Sequence, residues 1–198
     1  MNAYDIPVSV NIDGVDYKIR NRGDYRVVLD CFAALNDAEL STSERIFAAL
    51  IIFYEDLNDL TDVFLLDNLK AAIDGMYNFF QCGESSATNK AEPKLVDWKK
   101  DAQLISSAIN KIAGKELRLE PYVHWWTFMG YYMAIGDCPL STVIGIRSKI
   151  VKGKHLEKHE REFRNNNPEF FVWDRSTVEQ KEAQLWVDNV WNKEGRGA

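Results

Sequence analysis

A chain of 198 residues, 46% of them apolar, is long enough to bury a substantial core and too apolar to be disordered throughout. Its formal net charge of −6 argues against a protein that coats nucleic acid. No window has the pattern of a signal peptide or bilayer span, so a cytosolic chain is expected where it is made.

The charge is uneven along the chain. Residues 1–80 carry 14 acids against 6 bases, residues 81–146 balance at 7 and 7, and residues 147–164 carry 7 bases against 3 acids. Because Glu157, Glu160 and Glu162 interrupt that basic stretch, a solvated helix with internal ion pairs explains it better than a phosphate-binding surface. Cys31, Cys82 and Cys138 are odd in number and far apart, which favours buried free thiols over disulfides or a metal site.

In chain order, residues 8–12 and 15–19 alternate apolar and polar side chains around Asp13-Gly14, a hairpin pattern with positive-φ turn chemistry. Asp24 opens a helix with Val28, Cys31, Phe32 and Leu35 on one stripe, ending near Asn36. Ser41 and Glu44 have capping-box spacing before a second helix, whose Ile46, Phe47, Leu50 and Phe53 or Tyr54 face a core. A third helical stretch runs from about Asp62 to Cys82. The segment GESSATNKAEP, from Gly83 to Pro93, has no apolar face and reads as a polar linker. Asp97 to Ala113 resumes as a helix carrying Trp98, Ala102, Ile105, Ile109 and Ile112.

Pro121 to Gly136, PYVHWWTFMGYYMAIG, reads as a helix with Pro121 at its first position and Gly136 as its stop. Its apolar side chains cover almost every direction, which predicts a helix enclosed on all sides. Val123, Thr127, Gly130 and Ala134 form a small-residue flank where another helix could approach. Ser141 or Thr142 caps a shorter helix, and Lys154 to Asn165 is charged and exposed. Ser176 to Trp191 reads as a last helix, with Trp186, Val187, Val190 and Trp191 on one face. That face packs on its own domain or docks on a partner, and it is the candidate partner-binding surface.

The fold class that follows is mainly α (α+β): a multi-helix bundle around a buried central helix at about 121–136, with a small N-terminal β-hairpin at about 8–19. The expected organisation is a hairpin plus helices over 1–82, a linker over 83–95, a C-terminal helical half over 96–167, and an extension over 168–198; a single domain containing all of these is the alternative.

Chemistry is thinly represented. His155 and His159 are spaced i, i+4 with Glu162 a turn later, but the HExxH order is missing and a solvated face is the simpler reading. His124 beside two tryptophans reads as a packed histidine bonded to backbone, with a general base as the alternative. Gly145-Ile146-Arg147-Ser148-Lys149 superficially suggests a phosphate turn, yet no GxxxxGK[ST] or βαβ context accompanies it. No catalytic residue, cofactor or metal is expected.

His124-Trp125-Trp126 with Phe128, followed by Gly145-Ile146-Arg147-Ser148, resembles a family of bacteriophage proteins, gene product fifteen of phages of Gram-positive hosts. Members carry HWW-x-F and G-[YI]-R-S segments, which here are expected to be structural. Phe79-Phe80-Gln81-Cys82-Gly83 and Asp101-Ala102-Gln103-Leu104-Ile105 extend the likeness over residues 6 to 165, in the same order. Ile146 stands where an aromatic residue is common, and residues 168–198 run beyond many members.

The resemblance implies a tail assembly chaperone of siphophages, whose long tails do not contract. Such a protein binds the tape measure protein, together with tail-tube (major tail) subunits and a companion chaperone. It implies virion assembly in the host cytoplasm, absence from the mature virion, and protein–protein interaction without membrane or nucleic acid, and it leaves homo-oligomerisation open. The alternative it allows is a structural tail-completion or connector protein retained in the virion.

Overall fold

The computed structural model describes residues 4–59, 62, 68–84 and 94–173. They fall into two compact units, the first comprising the described residues up to 84 together with 124–126, and the second 94–123 and 127–173. The described residues are predominantly helical with one small hairpin, so the mainly-α class holds.

In the first unit, β1 (Ser9–Ile12) and β2 (Val15–Lys18) pair antiparallel with Val10 opposite Tyr17 and Ile12 opposite Val15. Asp13 and Gly14, at φ 50° and 91°, make the turn that the Asp-Gly pair predicts. Three helices follow: α1 (Tyr25–Leu35), α2 (Thr42–Phe53) and α3 (Leu69–Phe80). Asp24 caps α1 through the Arg26 amide, and Asn68 caps α3 through the Ala71 amide. Ser41 and Glu44 form the expected capping box on α2. The helix expected from Asp62 is described as α3 only from Leu69; residues 60–61 and 63–67 lie outside the described residues.

Val28, Cys31 and Leu35 of α1, Ile46, Leu50 and Phe53 of α2, and Ile73 and Met76 of α3 are buried. The i, i+3, i+4 stripes read from the sequence therefore meet in one core. The hairpin leans on α3 at Gly75, where a side chain would collide with Val10. Tyr17 meets Tyr54 edge-on at 6.0 Å. Arg20 fastens the end of α2, its guanidinium donating to the carbonyls of Ile51, Ile52, Tyr54 and Leu57 at 3.0–3.3 Å. A cation at a helix C-terminus both satisfies orphan carbonyls and complements the dipole.

The second unit contains α4 (Ala102–Ala113), most of α5 (Trp125–Met133), α6 (Pro139–Val151) and α7 (Lys158–Asn166). Residues 97–101, expected as helix, instead form a turn held by Asp97, whose carboxylate accepts from the Lys99 and Lys100 amides. Helix α6 starts at Pro139 rather than at Ser141 or Thr142. Proline's fixed φ suits the first turn, and Ser141 reaches back to the Cys138 amide at 2.9 Å. The basic segment pairs internally, with Lys149 Nζ donating to both Glu160 oxygens at 2.7 and 2.8 Å.

The central helix is shorter and less enclosed than its composition suggests. It begins at Trp125, because residues 121–124 are not helical and His124 bridges antiparallel to Asp24. It ends at Met133, so neither Pro121 nor Gly136 bounds it. Trp125 and Phe128 are buried, but Met133 is 73% exposed, and Thr127, Gly130 and Ala134 face outward. No described helix lies on the small-residue flank: nothing described stands within 4 Å of a side chain built at Gly130. Trp, Tyr and Met carry large apolar bodies without requiring full burial, so all-round apolarity overstated enclosure. No described helix is long and apolar enough to cross a membrane.

Candidate functional site

Two clusters of the sequence-predicted residues form, one in each unit. In the first, His124 is 2% exposed and stands at the start of α5. Its Nδ1 accepts the Trp126 amide at 3.1 Å, which leaves Nε2 to carry the proton and donate to the Pro7 carbonyl at 2.9 Å. Burial pushes the imidazole pKa down, opposed by the Pro7 carbonyl and the Asp24 charge. The ring is thus a neutral cap with both nitrogens engaged, and its geometry is that of a positioning residue. Gly23, at φ 79°, makes room for it: an added Cβ would stand 2.7 Å from Phe79 Cζ and 3.0 Å from His124 Nε2.

Trp125 and Trp126 act on the C-terminal end of α3. Their indole N–H groups donate to the carbonyls of Phe80 and Phe79 at 2.9 and 3.0 Å. These are last-turn carbonyls, that of Phe79 also accepting the Cys82 amide at 3.0 Å, and the tryptophans cap α3 from a distance in sequence of more than forty residues. Cys82 and Gly83, both at positive φ, turn the chain away beneath the Trp126 ring. The FFQCG and HWW segments are two halves of one joint. Phe32 and Phe53 complete it with edge-on and tilted ring contacts to Phe79, Phe80 and Trp125 at 5.0–5.7 Å. Burial raises the Cys82 thiol to about 11, with Glu84 adding to the shift, so this is an unreactive thiol.

In the second unit, Arg147 lies in the interior of α6, fully buried. Its guanidinium makes a fork with Asp101 at 2.5 and 2.9 Å. The remaining N–H groups reach the Leu95 carbonyl at 2.8 Å and the Phe170 carbonyl at 2.8 and 2.5 Å. All five donors are thereby satisfied, and the plane stacks on Trp173 at 4.8 Å. Asp101 also accepts the Asp97 amide at 2.9 Å. A buried ion pair this well bonded joins three chain segments: 94–101, α6 and 168–173.

The other named residues play smaller parts. Phe128 packs on Trp98 at 6.3 Å, Ser148 is half-buried, and Gly145 is exposed with nothing described within 4 Å of an added Cβ. Because the GIRS segment is inside a helix, it offers no phosphate turn. His155 lies in the turn before α7 while His159 is helical, so they do not share the i, i+4 face expected of them. Among the described residues, no group of three or more His, Cys, Asp or Glu is placed to hold a metal ion. Trp186, Val187, Val190 and Trp191 lie outside the described residues, as do 85–93 of the linker.

Sequence reading missed Pro7, Gly23 and Trp173, because each matters only through a partner far along the chain. It also missed a groove in the first unit, about 750 Å³, between β1 and α3. Pro7, Ser9 and Asn11 line one wall and Ala71, Asp74 and Asn78 the other, with Trp126 adjoining.

The family described as Bacteriophage Gp15 protein matches residues 4–168. Neither a curated protein nor a solved structure matches the chain.

Proposed function

The chain belongs to the bacteriophage Gp15 protein family, and on that premise we propose that it is a tail assembly chaperone. It binds the tape measure protein, and with it tail-tube subunits, while a long non-contractile tail is built in the host cytoplasm, and it leaves before the particle is complete. It works by contact between polypeptides, without bond-making chemistry. The family match over most of the chain is the observation that carries this reading.

The structure supports it in two ways. His124, Trp125, Trp126 and Arg147 are committed to internal bonds, so recognition falls to the surface. That surface includes large apolar side chains in the second unit: Leu119 at 83%, Met133 at 73% and Val172 at 68% exposed. A long helical client that aggregates alone is suited by several weak apolar contacts, released in turn.

Co-expression with the tape measure protein tests the reading. The expected result is a soluble complex that survives pull-down, together with absence of the chain from purified particles by mass spectrometry. An insoluble tape measure and an empty pull-down overturn it. Detection as a stoichiometric virion subunit replaces it with the retained tail-completion or connector protein.

A further inference from the structure

We infer that the outer edge of β1, which no other described strand pairs, accepts an extended, lysine- or arginine-bearing segment of a partner polypeptide as a third strand. The Ile19 amide donates to the Val8 carbonyl at 2.9 Å, so Val8, Val10 and Ile12 turn their backbone groups toward β2. By the alternation of an antiparallel ladder, Pro7, Ser9 and Asn11 turn theirs outward. Pro7 confirms the direction, because its outward carbonyl is the one His124 takes. The next outward groups, the N–H and C=O of Ser9 and Asn11, have no hydrogen-bond partner among the described residues.

Proteins ordinarily protect such an edge with charge, proline or a covering element. Here β1 reads SVNI, without a charged residue, and the 750 Å³ groove lies beside it. The groove's far wall is one face of α3, presenting Ala71, Asp74, Gly75 and Asn78 at helical spacing. Asp5 and Asp74 are its charged residues, each also engaged with another group, and among the described residues no Lys or Arg lines it. With 14 acids against 6 bases over residues 1–80, the local field favours a cationic strand. Main-chain pairing supplies the affinity and the acidic wall the selectivity.

The chain's own residues 174–198 are a poor match by charge, with five acids against four bases. The site stands whether or not the partner is the tape measure protein.

The test uses the full chain and two synthetic ten-residue probes, one alternating Val with Lys and the other alternating Val with Glu. Ser9→Pro deletes an outward N–H without touching the bonds to β2, and proline is tolerated at such an edge position. The Lys probe is expected to bind at least tenfold tighter than the Glu probe, and to lose tenfold or more with Ser9→Pro and with Asp74→Lys. Amide exchange at Ser9 and Asn11 is expected to slow when it binds. Equal affinity for the two probes, binding of neither, or unchanged affinity in a folded Ser9→Pro variant overturns the proposal.

Should Ser9→Pro fail to fold, a Lys probe N-methylated throughout serves instead, and its binding at full affinity also overturns it. Slow exchange at Ser9 and Asn11 in the free chain, released by deleting residues 174–198, assigns the edge to the chain's own end and overturns it too.

Discussion

Arg147 and His124 show how side chains that invite a catalytic reading become fixed parts of a fold. Arg147 carries a full set of five hydrogen bonds in a site without solvent, which only a planar fork can make. Lysine, a point donor, leaves Asp101 and the Leu95 and Phe170 carbonyls partly unmatched. Arg147→Lys is therefore expected to destabilise the second unit by about 3 kcal/mol, read from the urea midpoint. For His124, burial holds the folded pKa below the ordinary 6.5. The neutral form is favoured in the folded chain, so its contribution is whole above 6.5, declines as pH falls through that value, and levels off below the folded pKa. In His124→Gln, which keeps an acceptor and a donor but does not titrate, the loss of thermal stability between pH 7 and pH 5 is expected to be smaller than in the parent chain.

Helix α5 illustrates what an element's composition leaves open. Its entry into helix is marked by His124 capping the Trp126 amide and it ends at Met133, short of Gly136, so neither limit follows from proline or glycine position. Two exposed glycines inside helices, Gly130 of α5 and Gly145 of α6, have nothing described within 4 Å of an added methyl. A glycine there costs helix stability without a steric reason among the described residues. Gly130→Ala and Gly145→Ala are each expected to raise stability by about 0.5–1 kcal/mol in thermal unfolding. Loss of tape-measure capture in either variant would mark that helix face as part of the partner surface.

For the molecule as a whole, the end of the second unit matters more than the family match suggests. That match stops at residue 168, yet the Phe170 carbonyl and Trp173 complete the surroundings of Arg147, and the Trp173 indole donates to the Lys94 carbonyl at 2.9 Å. A chain ending at Asn167 is expected to unfold at a lower urea concentration than one ending at Trp173, because it leaves a buried guanidinium short of acceptors. The chain ending at Trp173 is expected to remain soluble and to lose capture of a tape-measure fragment, since it lacks Trp186, Val187, Val190 and Trp191. Retained capture by that chain assigns the contact to other surface.

The hairpin turn, the Ser41–Glu44 box and the inward stripes of α1, α2 and α3 were legible from residues within a turn or two of one another. Capping, turn chemistry and amphipathic period are local physics, and they act the same way in any fold. The mainly-α class and the family likeness followed from the same short segments. The limits and exposure of α5, the joint between HWW and the end of α3, and the five-bonded Arg147 were not legible. Each depends on a donor meeting an acceptor or a space filled by a residue dozens of positions away. Only the folded chain chooses which of many polar groups come together, because an unpaired buried group costs more than any local preference supplies.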